Sequence, residues 1–428
     1  MDINQLYKIY QQFPSIQTDT RKLKKGDLFF ALKGPNFNGN EYAHKALELG
    51  AAYSIVDEIL GAPDERILLF DDVQLTLQLL AKKHREQFNI PFIAVTGSNG
   101  KTTTKELIHA VLSTRYKTST TEGNLNNHIG IPLTLLKIKP DAEIAVIEMG
   151  ANHQKEIEGY CTYTLPTHAI ITNCGKAHLE GFGGEEGVKK GKGELYNYIR
   201  RTKGTVFLYN DYDYLKNMSA GIEKIIKYGT GGGDDELISG KIKADAQFLE
   251  TEITKGGNFG CIKTHLVGGY NLPNVLAAIC IGKVFSVPEN KIKLALESYI
   301  PSNSRSQMIK RGSNEIILDA YNANPSSMKL AIENFAGMKG ENKIMILGGM
   351  MELGEESISE HKKLIDLIAQ YKWKQVLLVG SQFDGITGNY LYFEDVHQAR
   401  NWFLAQDIRD AQILIKGSRS KQLEKMLE

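Results

Sequence analysis

The stretch that decides the fold is "PFIAVTGSNGKTTTKELIHAVL", residues 91–112. It begins with an apolar run typical of a buried strand, passes through a glycine turn and ends in residues with helical spacing. Gly97 and Gly100 allow the backbone to curl with its N–H groups pointing inward, and the positive end of the following helix adds to them. Lys101 can then reach terminal phosphates, and Thr102 offers a hydroxyl to Mg²⁺. The stretch therefore predicts a phosphate-binding loop.

The spacing of this loop is GxxGKT, because Val95 rather than glycine stands five positions before Gly100. The alternative to a phosphate-binding loop is an ordinary strand, turn and helix with an exposed lysine. Strand, glycines, Lys-Thr pair and helix all agree with the phosphate loop, so that reading is favoured. The residues predicted to contact the nucleotide here are Gly97, Ser98, Asn99, Gly100, Lys101, Thr102 and Thr103.

Short β-branched runs recur on both sides of the loop, and stretches with helical spacing separate several of them. Strand, helix and strand in this order indicate a parallel sheet. The sequence therefore predicts an α/β fold with mostly parallel sheets. The predicted strands around the loop are "ILLF" (67–70), "PFIAV" (91–95), "IAVIEM" (144–149), "AIITN" (169–173) and "TVFLY" (205–209).

The length of 428 residues corresponds to about three domains. We expect a small N-terminal α/β module at 1–84, a central domain at 85–300 and a doubly wound, Rossmann-like domain at 301–428. The polar segment 301–311 is predicted to be the linker into the last domain. The strands predicted for that domain are "EIILDA" (315–320), "KIMILGG" (343–349), "QVLLVG" (375–380) and "QILIKG" (412–417).

Composition excludes several functions. Lys plus Arg number 51 and Asp plus Glu 50, so a net charge of +1 offers no field for nucleic acid or an anionic membrane. No run of 18 apolar residues is present, and the start "MDINQLYKIYQQF" does not have the pattern of a signal peptide, so we expect a cytoplasmic protein. Four widely spaced cysteines are typical of core thiols.

Several strings occur in the order seen in Mur ligases, and nearly the whole chain resembles that family. Mur ligases are ATP-dependent amide ligases of peptidoglycan precursor synthesis. The resemblance implies a UDP-binding N-terminal domain, a central ATPase domain and a C-terminal Rossmann-like domain. Independently of the resemblance, we expect a monomer. The strings are "TGSNGKTT" (96–103), "TEGNLNNHIGIPLTLL" (121–136), "IEMGAN" (147–152), "ITNCGKAHLEGFG" (171–183), "GKGELY" (191–196) and "GGYNLPN" (268–274).

Within the family, four further strings resemble the branch that joins D-alanyl-D-alanine to UDP-N-acetylmuramoyl-tripeptide. A carboxylate is a poor electrophile, so in this branch ATP first converts the terminal carboxylate of the tripeptide to an acyl phosphate. The amine of D-alanyl-D-alanine then displaces phosphate. The resemblance implies UDP-N-acetylmuramoyl-pentapeptide, ADP and phosphate as products. The strings are "TDTRKLKKGDLFFALKG" (18–34), "LDAYNANPSSM" (318–328), "LGGMMELGEESISEHKKL" (347–364) and "IKGSR" (415–419).

The resemblance also implies two Mg²⁺ ions. The first would take Thr102 and Glu148 as ligands, and the second His178 and Lys192. An ammonium cannot bind a cation, so Lys192 would be carbamylated, which makes it anionic. Without the resemblance, Glu148 is typical of a solvated strand end, His178 of a structural histidine and Lys192 of a solvated helix lysine.

For the nucleotide, the resemblance assigns Asn271 and Asn274 to adenine, Asp319 to the ribose hydroxyls and Arg305 to the γ-phosphate. Mutual repulsion of the reacting anions must be overcome, so positioned cations should dominate catalysis. The residues implied to act in catalysis are Lys101, His178, Lys192 and Arg305.

The remaining assignments concern the substrates. Amides in the loop at 124–127 would hydrogen-bond phosphate or the acceptor carboxylate. The loop after residue 320 would face the dipeptide or the acyl centre. The cations after residue 415 would bind the carboxylate of the dipeptide. Turn-forming residues and a solvated basic helix start are the alternatives. The residues are Thr18, Asp19, Thr20 and Arg21 with Lys33 and Gly34 for UDP, then Asn124, Asn126, Asn127, Tyr321, Asn322, Asn324, Lys416, Ser418 and Arg419.

The chain departs from the family pattern at Asn38, Asn40, Tyr270, Ser304 and Gly349. Two other interpretations remain open. One is folylpolyglutamate synthase or another Mur member, and the other is a nucleotide-sensing scaffold that binds ATP but turns it over poorly.

Overall fold

A computed structural model describes residues 1–243, 247–302 and 304–428. These residues form two compact units. The first contains Met1–Ala94, Tyr116–Ala151 and Lys155–Ala169. The second contains Val95–Arg115, Asn152–Gln154 and Ile170–Glu428.

The first unit contains a four-stranded sheet in which every neighbouring pair is parallel. Apolar residues on Leu28–Phe30 and Tyr53–Val56 face the helix Ala43–Glu48, and Phe29, Ala46 and Val56 form part of this core. The strands in spatial order are Ile16–Gln17, Leu28–Phe30, Tyr53–Val56 and Ile67–Leu69, and a hairpin joins Lys33–Gly34 to Phe37–Asn38.

Two helices of the first unit, Ile3–Gln12 and Val73–Arg85, begin at side-chain caps. Asp2 accepts hydrogen bonds from the N–H groups of Asn4 and Gln5, and Gln5 closes a capping box with it. Asp72 likewise accepts from Leu75 N–H at 2.7 Å. The helices of this unit are Ile3–Gln12, Ala43–Glu48, Val73–Arg85, Gly130–Leu136 and Glu156–Thr164.

Two further strands of the first unit, Thr118–Thr120 and Ile144–Glu148, pair in parallel. All five residues of Ile144–Glu148 are buried, as the apolar run at 144–149 predicts. The boundary between the units falls within the strands Phe92–Thr96 and His168–Ile171, which confirm two more predicted strands.

The first helix of the second unit is Lys101–Leu112, and alternating strands and helices follow it along the chain. Thr205–Tyr209, Lys224–Gly229 and Glu236–Ile242 pair in parallel, and Glu250–Lys255 and Cys261–Lys263 then extend the sheet antiparallel. The helices up to residue 300 are Lys101–Leu112, Leu179–Phe182, Glu185–Thr202, Asp213–Met218, Leu272–Val284 and Glu289–Ser298.

The C-terminal part of the second unit contains a six-stranded sheet around a core that includes Ile316, Ile346 and Ile415. The strands in spatial order are Gln307–Arg311, Asn314–Asp319, Gln412–Lys416, Lys343–Gly348, Gln375–Val379 and Leu391–Phe393. The helices are Pro325–Gly337, Ser357–Ile368 and Val396–Ala405.

All four strands predicted for this part are confirmed, and two were missed. Gln307–Arg311 was predicted to be linker, but it pairs antiparallel with Asn314–Asp319. Arg311 pairs with Asn314 across a two-residue loop that begins with Gly312 at a φ of 60°. Glycine with a positive φ suits such a hairpin turn. Gly312 was therefore the sequence signal for this hairpin, and the linker interpretation did not use it.

No helix among the described residues is both long enough and apolar enough to cross a bilayer.

Candidate active site

The predicted phosphate loop lies between the strand Phe92–Thr96 and the helix Lys101–Leu112. Gly97 has a φ of 144° and Gly100 a φ of 77°, both in the region that favours glycine. A Cβ atom on Gly97 would lie 2.0 Å from Thr172 Oγ1, and one on Gly100 would lie 2.8 Å from Asn274 Oδ1. The two glycines are therefore required by shape as well as by backbone conformation.

The segment at 172–173 fixes the loop through three short hydrogen bonds. Asn173 accepts from Ser98 N–H through its backbone oxygen at 2.9 Å and from Asn99 N–H through Oδ1 at 3.0 Å. Thr172 Oγ1 donates to the Asn99 carbonyl oxygen at 2.6 Å. These bonds hold the loop in one shape, which is the preorganisation that an anion site needs.

Lys101 turns back onto the loop. Its Nζ donates to the carbonyl oxygens of Gly97 at 2.7 Å and Ser98 at 3.1 Å. Thr102, at the first turn of the helix, is 6% exposed. Phosphate oxygens are alternative acceptors for the Lys101 ammonium.

A run of amides supports the loop on the side of the helix Leu272–Val284. Thr104 Oγ1 donates to Asn274 Oδ1 at 3.0 Å, and Asn274 Nδ2 donates to Asn271 Oδ1 at 2.9 Å. Asn271 Nδ2 in turn donates to the Val267 carbonyl oxygen at 2.9 Å. The structure thus places Asn274 beside Gly100 of the loop and joins Asn271 to Asn274 by a hydrogen bond, so both amides have fixed orientations.

Asp319 and Lys416 end the neighbouring parallel strands Asn314–Asp319 and Gln412–Lys416, where they are paired in register. Lys416 Nζ lies 2.5 Å from Asp319 Oδ2, and it also donates to the Asn322 carbonyl oxygen at 3.4 Å. Lys416 is 2% exposed. Two residues that the sequence assigned to different ligands therefore form one ion pair.

Arg305 and Arg419 lie on the ring of Tyr321. The guanidinium carbon of Arg305 is 3.6 Å from the ring centre, and that of Arg419 is 5.7 Å from it. Both distances suit cation–π attraction. The ring thus carries two cations at the end of the strand that holds Asp319.

The helix Pro325–Gly337 begins at the phosphate loop. Asn324 caps this helix by accepting from Ser327 N–H at 2.9 Å, while its Nδ2 donates to Asn99 Oδ1 at 2.8 Å. Ser326 Oγ accepts from Lys176 N–H at 2.9 Å. Predicted residues 324 and 99 are therefore joined directly.

Lys176 was not predicted to have a role, although it lies in the quoted string at 171–183. Its Nζ lies 2.9 Å from Glu360 and 3.4 Å from Glu185, and these residues line a cavity of about 500 Å³. The hydrogen bond to Glu360 raises the pKa of Lys176. Burial opposes ionisation of Glu360, but hydrogen bonds from Lys363 and Lys176 outweigh it and lower the pKa of Glu360. Sequence spacing carried no signal for a pairing across 184 residues.

His178, predicted as a metal ligand, contacts a second unpredicted residue. Its Nδ1 lies 2.5 Å from Glu352 Oε2, and this interaction with His178 lowers the pKa of Glu352. Both residues have a positive φ, 54° for His178 and 62° for Glu352. Non-glycine residues in this region are often found at functional sites.

Lys192 is 1% exposed on the helix Glu185–Thr202, and its Nζ lies 4.9 Å from the ring centre of Phe182. The interpretation of Lys192 as a solvated helix lysine is therefore wrong. Nearby Cys174 is a free thiol whose pKa is raised to about 12 by burial.

Glu148 and Asn126 belong to the first unit. Glu148 ends a buried strand and is 1% exposed, so a solvated strand end is also the wrong interpretation. Asn126 Nδ2 donates to Glu148 Oε1 at 2.7 Å. Among the described residues, no hydrogen-bond donor reaches Glu148 Oε2. A buried carboxylate oxygen in this condition is suited to a cation.

Asn124 and Asn127 are exposed, and Asn127 Oδ1 accepts from Gly130 N–H at 2.8 Å.

The predicted uridine-diphosphate residues lie in the first unit. Asp19 caps the short turn Thr20–Lys22 and pairs with Arg21 at 2.8 Å, and hydrogen bonds from Arg21 lower the pKa of Asp19 to about 2. Thr18 is half-buried. Lys33, next to Gly34, is exposed and pairs with Asp57 at 2.8 Å.

No three His, Cys, Asp or Glu side chains group as a metal site anywhere in the described ranges.

Three family descriptions match the chain. Residues 12–84 match "Mur ligase family, catalytic domain", residues 95–282 match "Mur ligase middle domain", and residues 304–419 match "Mur ligase, glutamate ligase domain". Together they account for most of the sequence.

Individual relatives agree over nearly the full length. The UDP-N-acetylmuramoyl-tripeptide--D-alanyl-D-alanine ligase of Bacillus subtilis (strain 168) is 35% identical over 426 residues, which covers 96% of this chain and 92% of the relative. A crystal structure of MurF from Acinetobacter baumannii has a TM-score of 0.86 at 29% identity, covering 98% of this chain and 97% of that one. MurF ligase from Thermotoga maritima in complex with ADP has a TM-score of 0.84 at 26% identity, covering 96% of each chain. The chain therefore belongs to the Mur ligase family.

Proposed function

We propose that this chain is the ATP-dependent ligase that joins D-alanyl-D-alanine to UDP-N-acetylmuramoyl-tripeptide, giving UDP-N-acetylmuramoyl-pentapeptide, ADP and phosphate. The observation that carries this proposal is the 35% identity, over 96% of the chain, to a Bacillus subtilis relative with that name. The fixed phosphate loop supplies the physical means, because a carboxylate must be activated before an amine can displace its oxygen.

In the proposed reaction, loop N–H groups and Lys101 bind the phosphates of ATP, and Asn271 and Asn274 bind adenine. Asp319 would accept hydrogen bonds from the ribose hydroxyls. Arg305 would bind the γ-phosphate, so that positive charge faces the phosphoryl group while the tripeptide carboxylate attacks it.

For the first Mg²⁺, we propose Thr102 and Glu148 as protein ligands. The residues fit, because Glu148 is buried and its Oε2 has no donor among the described residues. When bound, Mg²⁺ neutralises phosphate charge. Asn126 holds the other carboxylate oxygen of Glu148 at 2.7 Å and so fixes its orientation.

For the second Mg²⁺, we propose His178 and a carbamylated Lys192. Carbamylation would turn the buried ammonium of Lys192, 1% exposed, into an anion with two oxygen ligands. The contact of His178 Nδ1 with Glu352 at 2.5 Å leaves Nε2 as the nitrogen that can face a metal.

For the substrates, we propose that Thr18, Asp19, Thr20 and Arg21 bind the UDP moiety. Lys416 and Arg419 are proposed for the dipeptide carboxylate. Because Lys416 already pairs with Asp319 at 2.5 Å, its charge would be shared between that carboxylate and the dipeptide. The other proposed substrate contacts are Asn126, Asn127, Tyr321, Asn322 and Asn324.

Three organisational features also belong to the proposal. The domains are residues 1–84, 85–300 and 301–428. The protein is a cytoplasmic monomer. Its partners are the two small-molecule substrates, and nucleic acid and membrane are not among them, in keeping with the net charge of +1.

The decisive experiment follows phosphate release by the purified chain with ATP and Mg²⁺. We expect release only when UDP-N-acetylmuramoyl-tripeptide and D-alanyl-D-alanine are both present, with the pentapeptide product identified by mass spectrometry. Tripeptides ending in meso-diaminopimelate and in lysine should be compared side by side. Tight ATP binding with no release under any combination would instead favour the nucleotide-sensing scaffold.

A further inference from the structure

Tyr270 occupies a junction that the proposed reaction does not use. It lies in the short turn Gly269–Asn271, directly before Asn271 and the helix Leu272–Val284. Its hydroxyl oxygen is 3.1 Å from Ser306 Oγ. Tyr270 therefore contacts a residue 36 positions away, in the segment that leads into the C-terminal sheet.

Ser306 links Tyr270 to Asp319, the carboxylate proposed to bind the ribose. Ser306 N–H donates to Asp319 Oδ1 at 3.2 Å, and the other oxygen of Asp319 lies 2.5 Å from Lys416 Nζ. Both oxygens of Asp319 thus have a fixed partner. The Tyr270 hydroxyl is at one end of this series and Lys416 at the other.

The backbone at Ser306 needs such support. Ser304 has a φ of 55° and Ser306 a φ of 46°, values that are unfavourable for residues with a side chain. Tyr321 N–H donates to the Ser304 carbonyl oxygen at 3.2 Å, which is one restraint. The Tyr270 hydroxyl supplies a second restraint, from another element of the fold.

The turn is shaped to receive the Tyr270 ring. Gly268 has a φ of 93°, and a Cβ atom there would lie 2.3 Å from Cε1 of the ring. Burial raises the pKa of Tyr270, and the charge of Asp319 raises it further, so the hydroxyl keeps its proton and can act as donor or acceptor. Ring and hydroxyl are both held in place.

We propose that Tyr270 is a positioning residue that holds the Asp319 carboxylate, through Ser306, at a fixed place relative to Asn271, so that the nucleoside of ATP enters a preformed pocket. This inference rests on the proposed function in one respect, the assignment of Asn271 and Asp319 to the nucleoside. Preorganisation of this kind increases affinity by removing the cost of ordering the site.

The test is a double-mutant cycle with Tyr270→Phe and Ser306→Ala, which remove the two hydroxyls and keep the surrounding shape. Each single variant should raise KM for ATP about fivefold, the worth of a typical hydrogen bond, while kcat stays within about twofold. The double variant should be no worse than either single one. The control is Tyr371→Phe, which removes a hydroxyl from a tyrosine packed on Trp373, and its KM should not change.

A second readout does not depend on ligase activity. Amide exchange, measured by mass spectrometry on peptides covering residues 304–321, should be faster in Tyr270→Phe than in the parent chain and unchanged in Tyr371→Phe. ADP binding by calorimetry should weaken about fivefold in parallel. These two results would support the inference even if no ligase activity were found, so its failure is distinguishable from failure of the proposed function.

Three outcomes would overturn the inference. The first is an unchanged KM and an unchanged exchange rate in Tyr270→Phe. The second is a lowered melting temperature with no change in KM, which is the result expected of a purely structural tyrosine. The third is full additivity in the double variant, because independent hydroxyls cannot act through one another.

Discussion

Asn324 donates a hydrogen bond from Nδ2 to Oδ1 of Asn99, in the phosphate loop, at 2.8 Å. The same side chain accepts from Ser327 N–H at 2.9 Å and so caps the helix Pro325–Gly337. One amide therefore serves two elements, a helix start and the loop proposed to hold ATP. The two roles can be separated, because a cap needs only an acceptor whereas the bond to Asn99 needs a donor at the right reach.

Asn324→Ser should separate them. Serine is a good N-cap, so the melting temperature should stay close to that of the parent chain, but its shorter side chain cannot also reach Asn99. We expect kcat/KM for ATP to fall about three- to tenfold. Asn324→Ala should lose the cap as well, at a cost of about 0.5–2 kcal/mol. Equal melting temperatures for the two variants would contradict the capping role.

Glu148→Gln tests the first proposed metal position. The amide oxygen of glutamine can still accept from Asn126, but the negative charge at Oε2 is lost. The Mg²⁺ concentration for half-maximal turnover should rise by at least about tenfold, since loss of even outer-shell partners costs metal sites about that much. The melting temperature without Mg²⁺ should be unchanged or higher, because a buried amide costs less to desolvate than a carboxylate. An unchanged Mg²⁺ requirement would exclude Glu148 as a ligand.

Lys192→Ala should abolish turnover, and added bicarbonate should not restore it, since no amine remains to be carbamylated. Lys190→Ala, on the exposed side of the same helix, is the matched control and should keep near-normal turnover. Intact-mass spectrometry under CO₂ provides a direct check, because only variants that retain Lys192 should gain the mass of a carbamate. Normal turnover of Lys192→Ala would show that another lysine or another chemistry is used.

A buried histidine makes the first unit sensitive to acid. His84 Nε2 lies 2.9 Å from the Ile138 carbonyl oxygen, which can only accept, so Nε2 carries the proton and Nδ1 accepts from the Tyr7 hydroxyl at 3.1 Å. Burial lowers the pKa of His84 below its ordinary value of 6.5. As the pH falls through 6.5, His84 becomes protonated in the unfolded chain but stays neutral in the folded unit. The free energy of unfolding therefore decreases on acidification.

The urea midpoint should therefore fall between about pH 7.5 and 5.5, with a contribution from His84 of at most about 1.4 kcal/mol per pH unit. His109 and His361, whose pKa values are also lowered by burial, contribute in the second unit. His84→Gln should show a smaller fall than the parent chain, because its amide does not titrate. An identical fall in both proteins would rule out His84 as a source of the acid sensitivity.

The phosphate loop could be predicted because its signal is local. Strand, glycines, Lys101 and helix lie within 22 consecutive residues, and each restricts the same short piece of backbone. The parallel strands were also predictable, since fully buried strands appear as uninterrupted apolar runs. The edge strand Gln307–Arg311 was missed because half-exposed residues interrupt any such run.

Contacts between distant residues could not be predicted in the same way. Asp319 and Lys416 are 97 residues apart and were assigned to different ligands, yet strand register pairs them. The pairing of Glu352 with His178 could not be predicted, and neither could that of Lys176 with Glu360. Nothing in the adjacent sequence distinguishes Glu352 or Lys176 from an ordinary surface charge. Only the topology brings these side chains together.

The 2.0 Å separation between Thr172 Oγ1 and a Cβ atom on Gly97 has a consequence for inhibition. Any larger residue at position 97 would push the loop away from Thr172 and so disturb the proposed ATP site. Substitution of Gly97 would therefore be a poor route to resistance against a compound that binds this part of the loop.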